Sequence, residues 1–193
     1  RVTSTVIEVK AGQSTKVGLN VSSPGSITGR VLEFPSGKAV AGMYCYSGQE
    51  GGTSDATGIM RLEQILPRKV KLRCSGALAQ GTARGAATID VSAGDLTSID
   101  VFVAFAKDLA SMKSPESRLG ASLAISGSDN SQSMLFENVL PNGAADQAGT
   151  VNGDRLLSVD GTVATGNASV AAGFYVSTRL PGTTMDFIIG RGD

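Results

Sequence analysis

Residues 141–161 read PNGAADQAGTVNGDRLLSVDG, and this stretch decides the fold of the carboxy-terminal part of the chain. Its first half is rich in alanine and ends at Gly149, as expected for a helical turn with a glycine at its carboxy-terminal cap. Its second half predicts a turn, a buried strand and a tight hairpin turn at Asp160-Gly161. We expect Asp154 to accept hydrogen bonds from nearby backbone N–H groups.

The segments on either side of this stretch extend the pattern. Gly120 lies within residues 119–125, where a glycine is followed by a strand of alternating polarity. Residues 134–140 predict a second strand, residues 169–178 a helix, and residues 185–189 a last strand. Strands and two short helices in this order are typical of a small, mainly β domain.

Over roughly residues 117–192, these segments together resemble a PDZ domain. The resemblance implies that the domain binds an extended peptide as an added strand, with the peptide's terminal carboxylate held in a nest of backbone N–H groups. Gly120 would turn adjacent amides toward the carboxylate, and Arg118 would add charge at the mouth. The residues that the resemblance assigns to peptide binding are Arg118, Leu119, Gly120, Ala121, Ser122, Leu123, Val170, Phe174 and Ser177.

The sequence departs from the usual PDZ pattern in two respects, and its second helix also contains a glycine. Ala121 stands where a large apolar residue is common, which implies a roomier pocket or a shifted register. The helix cannot hold a selective histidine, because the chain has none, so selection for a hydroxyl on the peptide is unsupported. Gly173 interrupts the helix at a cost of about 1 kcal/mol relative to alanine. It either admits the peptide backbone or packs against a strand, and we favour packing.

The amino-terminal half predicts a β-sandwich of short strands joined by glycine and aspartate turns. The segments GSITGRV at 25–31, GKAVAGM at 37–43 and SDATGIMRL at 54–62 resemble the carboxypeptidase regulatory-like family of transthyretin-type sandwiches. The family implies a structural or spacer role without chemistry of its own.

An internal repeat relates residues 5–21 to residues 87–103, and each copy predicts a β-hairpin around an Ala-Gly turn. Residues 1–22 are therefore interpreted as the closing hairpin of an upstream sandwich, and residues 23–105 as a complete copy. The alternative is two similar hairpins within one sandwich. Residues 106–117 are polar, contain Pro115 and predict a linker, which leaves residues 118–193 for the PDZ domain.

The composition argues against catalysis and metal binding within the chain. With no histidine, neither a Ser-His-Asp site nor the commonest metal ligand is available. Seventeen basic and seventeen acidic residues balance, so no overall charge favours nucleic acid or a membrane surface. Cys45 and Cys74 are either two buried thiols or a disulfide across a sheet, and the sequence leaves both open.

The sequence therefore predicts a mainly β fold: a β-sandwich followed by a PDZ-like, partly open barrel with two helices. We expect a non-enzymatic module without cofactor that binds a protein or peptide, within a larger bacterial protein that is periplasmic, at the cell surface or secreted. Two alternatives stay open. In the first, the chain would be the substrate-recognition region of a protease whose catalytic domain lies outside this sequence. In the second, the chain would serve only assembly, with its groove filled by its own linker.

Overall fold

A computed structural model describes residues 22–106, 119–128, 131–179 and 182–191. The proposed amino-terminal hairpin and nearly all of the proposed linker lie outside these residues. The amino-terminal lobe contains seven strands: β1 (Gly25–Glu33), β2 (Tyr44–Ser47), β3 (Glu50–Thr53), β4 (Ile59–Ile65), β5 (Arg68–Leu78), β6 (Gly81–Val91) and β7 (Leu96–Ala106). The carboxy-terminal lobe contains β8 (Ser122–Ser126), β9 (Ser133–Glu137), α1 (Ala144–Gln147), β10 (Arg155–Val159), β11 (Thr162–Val163), a 3-10 helix (Gly166–Ala168), α2 (Ser169–Ser177) and β12 (Phe187–Gly190).

The seven amino-terminal strands form one curled sheet, called the barrel below, in the order β3-β2-β5-β6-β7-β1-β4. β1 lies between β4, to which it is antiparallel, and β7, to which it is parallel. β3 packs beside β4 and nearly closes the sheet. Side chains that alternate along each strand fill the interior of the barrel. On β5, for example, Val70, Leu72 and Cys74 point inward and are buried, while the residues between them are exposed.

Cys45 and Cys74 form a disulfide between β2 and β5, which decides between the two possibilities that the sequence left open. The two residues lie directly opposite each other in the β2–β5 pairing, and their Cα atoms are 4.0 Å apart. The bond links strands that are distant in sequence within the barrel interior.

The hairpin predicted over residues 87–103 is only partly correct. The two strands and the turn are present, and Gly94 has a φ of +75° in that turn. The strands nevertheless part beside the turn, where β6 keeps its pairing with β5 and β7 keeps its pairing with β1. β6 and β7 pair only at their far ends, where Thr82–Arg84 face Ala104–Ala106.

The carboxy-terminal lobe enters the gap between these parted strands. The 3-10 helix packs against both β6 and β7, and the backbone N–H of Thr88 donates to Oδ1 of Asn167 at 3.2 Å. α2 packs against the same two strands. The 3-10 helix and α2 therefore pack against β6 and β7 where these two strands do not pair with each other.

The carboxy-terminal sheet has the order β11-β10-β9-β8, and β12 also pairs with β10. The predicted turns are confirmed: Gly149 follows α1 with a φ of +80°, and Asp160 and Gly161 have φ values of 48° and 75° in the two-residue β10–β11 turn. Positive φ at both turn residues is the pattern of a type I′ hairpin.

The second hydrophobic core draws on both lobes. Phe34 and Ala104 of the barrel are buried in the same cluster as Phe136, Leu156 and the small residues of α2. The ring of Phe34 lies edge-on to that of Tyr175, with centroids 5.6 Å apart. Among the described residues, no helix is long and apolar enough to cross a membrane.

Candidate functional site

The candidate site is the groove between β8 and α2. β8 is an edge strand, because β9 is its only partner among the described residues. α2 packs beside β8 and β9. An edge strand presents unpaired backbone N–H and C=O groups, so this edge has the hydrogen-bonding capacity to accept another strand.

The loop before β8 turns at Gly120, which has a φ of +67° as the sequence predicted. Its carbonyl oxygen accepts a hydrogen bond from the backbone N–H of Leu140 at 2.7 Å. A Cβ at Gly120 would lie 2.7 Å from the Cα of Gly143, just before α1, so the two glycines let the backbones approach closely. The role of Gly143 was not predicted, because its partner is 23 positions away in sequence.

The predicted loop residues are buried to different extents. Leu119 and Ala121 are buried in the shared core, and Leu123 packs partly buried against it. Ser122 is half-buried, and its hydroxyl donates to the carbonyl oxygen of Glu137 at 3.0 Å. Arg118 lies outside the described residues. The assignment of these residues to peptide binding stays a prediction.

The predicted helix wall is continuous. Val170, Phe174 and Ser177 are half-buried at helical spacing on α2. The hydroxyl of Ser177 donates to the carbonyl oxygen of Phe174 at 3.0 Å, so it serves the helix end in this structure. These side chains are therefore placed together, with apolar surface toward the start of the helix and a hydroxyl at its end.

Gly173 packs against a strand, in line with the favoured interpretation. A Cβ at this position would collide with the side chain of Met134 on β9. The glycine therefore gives room to a buried methionine within the shared core.

The barrel contributes a residue that the sequence did not assign to the site. The guanidinium of Arg84 on β6 lies over the ring of Phe174, with its Cζ atom 5.7 Å from the centroid. This is within the range of a cation–π contact. No local signal identifies Arg84, because it is separated from Phe174 by 90 positions and by a change of lobe.

Below the site, Asp154 confirms its predicted structural role. It is 1% exposed, and its Oδ2 accepts a hydrogen bond from the backbone N–H of Val151 at 2.9 Å. Arg191 approaches its Oδ1 at 3.4 Å. The Val151 hydrogen bond, helped by Arg191, holds the pKa of Asp154 below its ordinary value despite burial.

At the carboxy-terminal half of α2, the hydroxyl of Tyr175 donates to Oδ2 of Asp160 at 2.8 Å. Burial, followed by this hydrogen bond, raises the pKa of Tyr175. Within the described ranges, no three His, Cys, Asp or Glu residues are grouped as a metal site would require.

Two comparisons of the whole chain with known proteins give little. A search of curated proteins found no match. Among solved structures, the chain is similar to a proposed carbohydrate-binding protein from Bacteroides uniformis, at 14% identity over 59% of this chain. The chain spans about half (52%) of that structure, and the TM-score of 0.30 is too low to establish a shared fold. The carboxypeptidase regulatory-like resemblance of the barrel stays a prediction.

The carboxy-terminal lobe is matched by a known family. Residues 108–177 match the PDZ domain family, and the predicted domain of residues 118–193 overlaps this match over 118–177. The match includes β8, α1 and α2, which form the groove and its loop. The chain therefore contains a PDZ domain.

Proposed function

We propose that this chain binds the carboxy terminus of a protein or peptide by strand addition along the free edge of β8. The observation that carries the proposal is the position of that edge, which lies beside α2 and begins directly after Gly120. A peptide in the groove would continue the sheet beyond β8, and its side chains would meet Leu123 on one wall and Val170 and Phe174 on the other.

In this arrangement the peptide's terminal carboxylate lies at the loop of residues 118–121. The left-handed φ of Gly120 supports this placement, because such a turn is how successive backbone N–H groups come to face one anion. Burial of Leu119 and Ala121 supports it as well, since a loop anchored in the core keeps its N–H groups in fixed positions.

The proposed setting is an oxidising compartment of a bacterial cell, or its exterior. The Cys45–Cys74 disulfide supports it, because such bonds persist mainly in secreted and periplasmic proteins. In that setting the PDZ domain would recognise chain ends of other envelope or secreted proteins.

The test uses the whole chain, because α2 is packed between the barrel and its own sheet. Peptides with free carboxy termini are titrated against their amidated forms by calorimetry. We expect dissociation constants of about 1–100 µM for the best free acids. Amidation should weaken them by about tenfold, since it removes the charge that the loop binds. Equal binding of both forms, or no binding, would contradict the carboxylate role.

A pair of variants ties the result to the groove. Val170→Gln places a polar side chain on the groove wall. Val163→Gln makes the same change at an exposed position on β11, at the far edge of the sheet. We expect Val170→Gln to weaken peptide binding and Val163→Gln to leave it unchanged.

A further inference from the structure

We propose that the peptide groove continues onto the barrel and selects ligands with acidic residues a few positions before their carboxy terminus. This inference rests on the proposed function, since it concerns the same ligand. Beyond the PDZ domain, however, it assigns part of the binding site to β5 and β6 of the barrel.

A cleft of about 420 Å³ lies where the groove meets the barrel. The PDZ domain contributes Ile125 near the end of β8 and Val170 in the first turn of α2. Ile125 is 48% exposed, which is unusual for a large apolar side chain and leaves it available to a ligand. The barrel side of the cleft includes Lys71, Arg73 and Arg84.

The three cations share the cleft because of strand alternation. Lys71 and Arg73 point outward from β5, since Val70, Leu72 and Cys74 between and beside them are buried in the barrel. Arg84 lies opposite Ser75 in the β5–β6 pairing and is exposed, so it joins the same outer face. One wall of the cleft therefore carries three positive charges.

These charges lack acidic partners among the described residues. Two ion pairs of the described residues, Arg30 with Asp100 and Arg191 with Asp154, both lie away from the cleft. Arg84 makes its contact with the ring of Phe174 instead. Because several like charges converge without a carboxylate, an acidic ligand segment is the complementary occupant.

The position of the cleft fixes which ligand residues reach it. A peptide with its last residue at Ala121 runs antiparallel to β8 and advances about 3.3 Å per residue. Its fifth residue from the end then lies beside Ile125. We infer that the fourth to sixth residues from the carboxy terminus pass beside the cleft, and that the side chain of the fifth, on the same face as Ile125, points toward Lys71, Arg73 and Arg84.

The experiment compares octapeptides that differ only at these three positions, carrying Glu, Gln or Lys, each as free acid and amide. With the full chain, we expect the Glu peptide to bind about fivefold tighter than the Gln peptide, as several partly exposed ion pairs would provide. The Lys peptide should bind weakest. Raising NaCl from about 50 to about 500 mM should remove most of the difference.

Matched variants assign the effect to the cleft. Lys71→Gln/Arg73→Gln removes two charges from the cleft, and Lys38→Gln/Arg61→Gln removes two exposed charges elsewhere on the barrel. The preference for Glu should fall markedly in the first variant, where Arg84 alone remains, and persist unchanged in the second.

The outcomes separate this inference from the proposed function. Equal binding of Glu and Gln peptides, with amidation still weakening both, would retain the groove and overturn the acidic preference. A preference that is undiminished in Lys71→Gln/Arg73→Gln would also overturn it. Failure of every free-acid peptide to bind would overturn the proposed function and this inference with it.

Discussion

The barrel and the PDZ domain are stabilised differently. The barrel core consists of large apolar side chains from its own strands, such as Ile27, Met60 and Leu72, and the Cys45–Cys74 disulfide lies within it. The PDZ core contains several alanines and is completed by Phe34 and Ala104 of the barrel. The barrel therefore encloses its own core, whereas the PDZ domain borrows part of its core.

The difference is clearest at α2. Ser169, Ala171, Ala172, Gly173 and Val176 are all buried, so residues on several sides of the helix are covered. A helix that is apolar all round requires neighbours on more than one side. β8 and β9 cover one side and β6 and β7 the other. The position of α2, and with it the width of the groove, therefore depends on the barrel.

The largest expected effect comes from removing the shared aromatic ring. Phe34 is 1% exposed and contacts both Phe102 and Tyr175. Phe34→Ala should lower the free energy of unfolding by about 3–5 kcal/mol. Amide exchange measured by mass spectrometry should increase in α2, while β5 keeps its protection.

Leu72→Ala is the matched control, because Leu72 is fully buried within the barrel core alone. It should increase exchange in β5. If Phe34→Ala exposes β5 and α2 equally, the two regions unfold as one unit and the contrast drawn above is wrong.

The second prediction concerns the contribution of the Cys45–Cys74 disulfide to the stability of the barrel. Cys45→Ala/Cys74→Ala removes a link between residues 29 positions apart. The expected loss is about 2–4 kcal/mol in urea unfolding, because the unfolded chain regains conformational freedom. Cys45→Ala alone should lose a similar amount, since it also breaks the bond. An unchanged unfolding midpoint in both variants would show that the bond adds nothing to the barrel.

Local elements of both regions were predictable from the sequence. Asp160-Gly161 predicts its hairpin because both residues tolerate positive φ, and the alternation of β5 predicts which face is buried. The turn at Gly120 and the helix α2 were also predicted, while the groove that the PDZ resemblance assigns to them stays a prediction. These features depend on residues that are close in sequence.

Long-range contacts were not predictable. At the gap between β6 and β7 lies the 3-10 helix, whose Asn167 contacts Thr88 from 79 positions away, and no feature of the Ala93-Gly94 turn reports it. The contact of Arg84 with Phe174 joins two lobes. One signal was available: residues 169–177 contain no charged side chain, which indicates a helix without a solvent face.

Acid should destabilise each region through one turn carboxylate. In the barrel, the Thr57 hydroxyl and the N–H groups of Ile59 and Thr57 lower the pKa of Asp55. Asp154 has a lowered pKa in the PDZ domain. A carboxylate with a lowered folded pKa stabilises the fold above its unfolded pKa of about 3.9, and this contribution is lost as pH falls through the folded value.

Asp154→Asn should therefore flatten the fall of the melting temperature below about pH 4. Asp55→Asn makes the same change at the turn carboxylate of the barrel, and it should flatten the slope through the loss of that carboxylate instead. A parallel fall in Asp154→Asn and the parent chain would show that Asp154 makes no pH-dependent contribution to the PDZ domain.

The smallest expected effect comes from Tyr175, whose ring contacts the barrel and whose hydroxyl makes a hydrogen bond within the PDZ domain. Tyr175→Phe keeps the ring that lies against Phe34 and under the guanidinium of Arg179, and it removes only the hydrogen bond to Asp160. Asp160 is exposed, so water replaces the lost donor, and the cost should be about 1 kcal/mol or less. Tyr175→Ala also removes the ring and should cost clearly more in thermal unfolding. If both variants lose the same stability, the contact of the Tyr175 ring with Phe34 adds nothing to the hold of the barrel on α2.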